Sequence, residues 1–421
     1  MSDPAPRHDL PLGHLSFCQI CASPDSTPIL DLGFHPPCDS LLSGNQLNEE
    51  ERTYPLNLVR CNKCCLVQID YVVAPEVLFF PDYPYRSGIT GTLASNLKGI
   101  ADTVTDRLKI PQGSLVVDIG SNDGTILQGF KSRGMKVLGV EPTKIAQIAV
   151  ENGIPTIQSF FSRSLAKRIR EEHGPASVVT AANMFAHVAK LGDLIQGVSD
   201  LLVDGGMFLT ESHYLLDLLE TLQYDSIYHE HLKYYSLRPI GALFKPYNFT
   251  IVDVERIPNY GGSIRVYAQK APAQSASERL LELSAAEDRG LLYEARTYDA
   301  FRERVIHSKL EFQSMLVKLR REGKTVVGIG CPGRASTLLN YCNVDRDLMP
   351  YIAEQSSCLK LGMALPGKHI PIVDEAILFR ENPDYAVMLS WHYAEPIIKK
   401  LRQKGLKSKI ILPLPEIKIL D

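Results

Sequence analysis

Two Cys-x-x-Cys pairs, Cys18/Cys21 and Cys61/Cys64, constrain this chain more than any other feature. Four thiolates in two such turns hold one Zn²⁺ tetrahedrally, at Zn–S distances of ~2.3 Å. The residues around them are short extended runs broken by Pro, Gly and Asp. That is the pattern of a zinc ribbon, with each turn on a hairpin tip. The metal would replace the core that so small a segment lacks. Four cysteine ligands leave no open position, so the site is expected to be structural. Cys38, Cys65, Cys331, Cys342 and Cys358 are scattered, and the total of nine is odd. A disulfide scaffold would be shorter and extracellular. Reduced thiols and one metal site fit better.

With 421 residues there is room for about three domains of ~150 each. Net charge is −3 and no basic block stands out, which argues against nucleic acid as a partner. The N-terminus has no apolar signal region. No run approaches the ~18 apolar residues of a membrane span. A soluble, cytoplasmic protein with no membrane partner is expected.

The fold class expected is α/β, with an N-terminal zinc-binding domain (1–78), a central Rossmann-like domain (79–272) and a helical linker plus C-terminal Rossmann-like domain (273–421). Strands near 115–119, 136–140, 177–181 and 206–211 alternate with helical segments, which implies a parallel, doubly wound sheet. An aromatic and His-rich insert follows at about 213–270. Residues 275–320 read as charged helices acting as a linker and spacer. A second strand–helix alternation begins near 325.

The motif VDIGSNDG (117–124) is a buried strand, then a Gly-rich turn into a helix. It is not the G-x-G-x-x-G of dinucleotide folds but the form used for S-adenosylmethionine. That cofactor has no pyrophosphate to place on a helix N-terminus. It needs a small-residue turn and carboxylates for its ammonium and ribose hydroxyls. Asp118, Gly120, Ser121, Asn122 and Gly124 supply the turn, and Glu141, ending the second strand, the ribose acid. Either Phe160 or Phe161 can stack on adenine, and Phe161 is the residue carried forward. Asn183 lies at the end of the fourth strand, where ligands bind in open α/β sheets.

Two further segments suggest chemistry: ANMFAHV (182–188) and YHEH (228–231). Histidine suits general-base work near neutral pH, and a neighbouring carboxylate can orient it. His229 is expected beyond direct contact with substrate or facing solvent. The zinc pairs, VDIGSNDG, ANMFAHV, YDSIYHEH, YGGSIRVY, LLNYC and LSWHYA occur in one order over about residues 15–415. The chain thereby resembles the three-domain, zinc-containing C-methyltransferases of nucleotide-linked 4-keto-6-deoxy sugars, which act usually at C-3. The resemblance implies S-adenosylmethionine as cofactor and a TDP-4-keto-6-deoxyhexose as partner; a monomer is expected, with the sequence leaving the oligomeric state open. It assigns His231 as base, with Glu230 and Tyr228 beside it and His187 as a second active-site histidine. It places Tyr85 over the site, with Tyr83 as an alternative in that position and Arg86 adjacent on the substrate side.

The last domain offers a competing site. Residues 328–333, GIGCPG, satisfy G-x-G-x-x-G, with Glu354 at a following strand end. On those rules alone a nicotinamide-dependent nucleotide-sugar oxidoreductase is the rival. The resemblance instead turns this loop toward the nucleotide-sugar, with Arg334 and Lys360 as diphosphate contacts and Lys368 as a further cation. Where typical members carry Ala-Lys-Gly, this chain has Gly333-Arg334-Ala335.

Overall fold

The computed structural model describes residues 9–79, 91–271 and 275–421. The expected contacts Tyr83, Tyr85 and Arg86 lie outside the described residues. The N-terminal part is a four-stranded antiparallel sheet in the order Lys233–Tyr234, Val67–Ile69, Tyr54–Cys61, Ser26–His35. Its first strand comes from the far side of YHEH, so the segment with the expected base is threaded into the zinc-bearing sheet. The Cys61/Cys64 turn does sit on a hairpin tip, between Tyr54–Cys61 and Val67–Ile69. The Cys18/Cys21 turn does not. The short strand before it, Gly13–His14, pairs with Tyr71–Val72, and the strand after it pairs with Tyr54–Cys61.

The central sheet has seven strands. Five are parallel, in the order Leu202–His213, Ala176–Ala182, Leu115–Ile119, Lys136–Val140, Thr156–Ile157. Phe249–Ile257 and Ser263–Lys270 extend it antiparallel on the Leu202–His213 side. The strand order reverses direction at Leu115–Ile119, which opens a crevice at the carboxyl ends of the strands. The Val-rich, fully buried run Leu115–Ile119 has helices covering both faces, so it shows no alternation.

The third sheet has six strands: Ile372–Asp374, Ile352–Glu354, Val326–Ile329, Tyr385–Met388, Lys409–Leu412 and the antiparallel Lys418–Leu420. The helix Ala295–Arg321 is packed rather than a free spacer. It buries Tyr298, Phe301, Val305, Ser308, Phe312, Leu316 and Leu319 at three- and four-residue steps along one face. A continuous apolar core runs from Leu58 through Val117 to Leu338 and Ile352. No helix among the described residues is long and apolar enough to cross a membrane.

Candidate active site and zinc centre

The four paired cysteines converge. The Sγ atoms of Cys18, Cys21, Cys61 and Cys64 all lie within 4.8 Å of one another. Cys18 and Cys64 are 3.4 Å apart, and Cys21 and Cys61 3.5 Å. Sulfurs bound tetrahedrally at ~2.3 Å from one zinc have comparable separations, so the donor set fits that ion.

A cavity of about 1300 Å³ opens where the sheets meet. Typical ligand sites occupy about 300–1,000 Å³, so this one has room for two ligands. The central strands deliver Gly120, Asn122, Glu141, Asn183, Ser212 and His213 to its wall. His187 lines it from the segment after strand Ala176–Ala182, and Tyr228, Glu230 and His231 from the insert. Arg334, Glu354, Lys360, His392 and Tyr393 line it from the C-terminal sheet.

At the cofactor end, Gly120 has φ +69°, and a Cβ there would stand 2.9 Å from Met184. The turn therefore needs glycine both for its backbone and for space. Gly124 (φ +79°) serves packing instead. A Cβ there would meet Ile154 and Ala149 at 3.1–3.2 Å, away from the cavity. Glu141 Oε2 accepts the Asn122 N–H at 3.0 Å, and Oε1 accepts the Thr143 N–H and hydroxyl. The carboxylate thus shapes the turn while facing the cavity. Asp118 is buried, and Oδ1 accepts the Thr180 hydroxyl at 2.6 Å. Burial pushes its carboxyl up to about 7. Asp118 Oδ2 and Ser121 Oγ are buried polar atoms beside this turn without a hydrogen-bond partner among the described residues. Such atoms are costly unless a ligand or water satisfies them, so the turn fits a polar cofactor. Phe161 is half-buried against Gly197, whereas Phe160 has its ring exposed; both line the cavity. Replacing Glu141 by Ala should weaken S-adenosylmethionine binding by about 1–3 kcal/mol. Titration calorimetry returning the unchanged affinity would remove Glu141 from the ribose site.

Four rings gather at the chemical end. His231 is 4.9 Å from His187, 4.7 Å from His213 and 4.0 Å from Tyr228, between ring centroids. Its Nδ1 lies 2.8 Å from the Ser226 carbonyl oxygen. A carbonyl only accepts, so Nδ1 is the donor and a neutral ring has its lone pair on Nε2. Burial, with His213 and His187 adjacent, holds His231 well below the ordinary histidine range. Burial likewise lowers His187 to about 4 and His213 to about 3. Burial and the nearby Cys38 and Glu230 hold the Tyr228 phenol well above its ordinary value, so it keeps its proton.

Several expectations need correcting. The Ser226 carbonyl orients His231 through Nδ1, while the carboxylate next in sequence, Glu230, meets the Cys38 thiol. His229 does not face solvent: it is 1% exposed, with Nε2 3.2 Å from the Pro55 carbonyl oxygen. Arg334 is not an unengaged phosphate contact. It grips Asp225 through Nε at 2.8 Å and Nη2 at 2.6 Å, and donates to Gln223 Oε1 and the Tyr260 carbonyl. Lys360 is held by Asp39 at 2.7 Å and the Cys331 carbonyl at 2.9 Å. Lys368 is half-buried and donates to Asn343. Glu354 Oε2 accepts the Cys331 N–H, closing the 328–333 turn on itself.

The sequence reading missed His213, although it stands at the carboxyl end of a central strand, where ligands bind. It also missed His392, which lies inside the LSWHYA motif. Arg334→Ala should destabilise the fold by about 3–5 kcal/mol, because it strands the Asp225 carboxylate, 1% exposed, without its cation. Urea unfolding curves that coincide with wild type would contradict this.

Family models match three consecutive stretches: "Putative zinc binding domain" over residues 18–79, "Methyltransferase domain" over 93–254 and "C-methyltransferase C-terminal domain" over 258–415. C-methyltransferase NovU from Streptomyces niveus is 32% identical over 414 residues, covering 96% of each chain. The chain belongs to this C-methyltransferase family. It is an S-adenosylmethionine-dependent C-methyltransferase with an N-terminal zinc-binding domain, and the oxidoreductase alternative built on loop 328–333 is set aside. Among solved structures, the PH0226 protein from Pyrococcus horikoshii is 17% identical (TM-score 0.37), covering 44% of this chain and 94% of that one. The magnesium protoporphyrin IX methyltransferase from Synechocystis is 12% identical (TM-score 0.33), covering 42% of this chain and 79% of that one.

Proposed function

We propose that the enzyme methylates C-3 of a TDP-linked 4-keto-6-deoxy sugar, with His231 as the base and the chain acting as a monomer in the cytoplasm. The observation that carries the reading is the His231 ring, tied at Nδ1 to Ser226 and neutral, in the wall of a two-ligand cavity. A neutral imidazole of low basicity can remove a proton from carbon only where a neighbouring carbonyl acidifies it. A 4-keto group does that for C-3. The proton passes to His231 Nε2, and the electron pair of the C–H bond spreads onto the keto oxygen as an enolate. The Tyr228 hydroxyl, kept protonated, donates to that oxygen. His187 and His213, both neutral, flank the base without adding positive charge that would oppose its protonation. S-adenosylmethionine, when bound, would supply the electrophilic methyl group of its sulfonium to C-3 and leave as the thioether S-adenosylhomocysteine, the S–CH₃ bond pair staying on sulfur. Glu230 completes the wall beside Tyr228.

At the cofactor end the turn 118–124, Glu141, Phe161 and Asn183 would hold the methyl donor. The nucleotide would then extend toward the C-terminal sheet. There the helix Gly333–Tyr341 presents its N-terminus and Lys360 lies beside the loop. Lys360 and Arg334 already face carboxylates, and the Asp39 carboxylate also stands beside Gly333, so a diphosphate bound there would share these groups with the acids that hold them.

The test is incubation with TDP-4-keto-6-deoxyglucose in D₂O, read by mass spectrometry. The expected product is heavier by one methyl with S-adenosylmethionine, and takes up deuterium at C-3 when transfer is blocked. Purified enzyme that binds the cofactor yet leaves this sugar unchanged would exclude it as substrate, and the 3-amino sugar would be tried next.

A further inference from the structure

The strand Ser26–His35 of the zinc-bearing sheet runs into Pro36, Pro37, Cys38 and Asp39. Polar Asp39 is only 8% exposed and Cys38 only 3%. Cys38 Sγ lies 3.3 Å from Glu230 Oε1, a contact linking positions far apart in the chain. The glycine loop of the C-terminal sheet closes over both residues. A Cβ on Gly333 would stand 3.1 Å from Cys38 Sγ and 3.3 Å from Asp39 Oδ2.

Cys38, Asp39 and Glu230 bring one sulfur and two carboxylate oxygens within 4.8 Å of one another. Such a trio suggests a cation site, but it already contains one: Lys360 Nζ is 2.7 Å from Asp39 Oδ1. A second metal would have to displace that ammonium. The trio is better read as a buried network to which all three parts of the chain contribute. Within it the thiol has one chemical role. Burial and the carboxylates of Glu230 and Asp39 keep it protonated, and an S–H beside a carboxylate donates.

We propose that Cys38 is a positioning residue of the methyl-transfer site, contributed by the zinc-bearing domain, whose S–H holds the Glu230 carboxylate in the cavity wall. The inference rests on the reading that Glu230 belongs to that site. It gives the zinc domain a direct part in the chemistry: the metal stays remote while its sheet delivers a donor to the reacting cavity.

The test is a double-mutant cycle on the full-length, zinc-loaded enzyme with Cys38→Ala, Glu230→Gln and the pair together, plus Cys38→Ser. Turnover, KM for the keto-sugar, cofactor affinity and zinc content are measured for each. Cys38→Ala should lower kcat by about tenfold or more, the cost of one hydrogen bond to a charged group. Cofactor affinity and zinc content should stay within twofold. Cys38→Ser, which keeps a donor, should recover most of the loss. In the Glu230→Gln background the Cys38→Ala loss should largely vanish, since both act through one group. A Cys38→Ala enzyme within twofold of wild type, or a loss that persists undiminished beside Glu230→Gln, overturns the proposal. A Glu230→Gln enzyme with full activity instead removes Glu230 from the site and takes the functional reading down first. If Cys38→Ala does not fold, Cys38→Val, which fills the space without a donor, replaces it in the cycle. Should that variant also lose zinc or precipitate, the segment is structural and the proposal fails.

Discussion

His231→Asn should lower turnover by about 10²- to 10⁴-fold, the usual contribution of a positioned general base. Affinity for S-adenosylmethionine should remain within twofold of wild type, because the ring lies at the chemical end of the cavity and the glycine turn at the other. Asparagine is similar in size and keeps a polar group near the Ser226 carbonyl, so the cavity should not collapse. Deuterium exchange at C-3 of the keto-sugar should fall in parallel with methylation, because both need the same proton abstraction. The pH dependence has a defined sign. Protonation removes the base, so its contribution is lost as pH falls. Burial and the facing imidazoles hold His231 well below 6.5, so the ring stays neutral through pH 6–8. The acid limb belonging to this group should therefore lie below pH 6.5. A His231→Asn enzyme that still exchanges the C-3 proton at the wild-type rate would eliminate His231 as the base.

Cys61→Ser should be as damaging, by another route. Structural zinc contributes about 10–16 kcal/mol of binding free energy in small zinc-dependent folds, and that binding is coupled to folding. Here the loss would not stay in the N-terminal sheet. The strand Lys233–Tyr234, just after His231, pairs with Gln68 and Val67 of that sheet, and Cys38 leaves from its far edge. Both the segment carrying His231 and the contact to Glu230 therefore depend on the four-cysteine sheet. The expected variant is insoluble or zinc-free, and any soluble fraction should be protease-sensitive and inactive. Atomic absorption that finds one zinc per chain in a soluble, active Cys61→Ser protein would refute the four-cysteine site.

Much of this molecule is written in local patterns. The turn at Cys61/Cys64 is a chemical signal over four residues. The run Leu115–Ile119 and the glycine after it declare a buried strand and a tight turn, because φ +69° at Gly120 and the nearness of Met184 tolerate nothing larger. Glu141 is found by its place at the end of the next strand. Each of these depends on neighbours in sequence or on the regular geometry of a parallel sheet.

Other features depend on contacts between distant stretches of chain, and no local pattern encodes them. Arg334 follows a glycine loop and so resembles a phosphate ligand. Only the packed structure reveals Asp225 waiting for it, a buried acid that would be intolerable without a partner. Glu230 stands beside His231 in sequence, yet the backbone turns it toward Cys38. A neighbour in the chain is no guide to a neighbour in space once regular structure ends. His213 joins the ring cluster because two segments meet at one sheet edge. The sequence by itself determined the paired cysteine turns, the glycine turn after Leu115–Ile119 and the order of the three sheets, since their causes act over a few residues. Tertiary structure alone decided which charges pair, which imidazoles gather and which domain supplies Cys38, because burial penalises an unpaired polar group only after distant segments have been brought together.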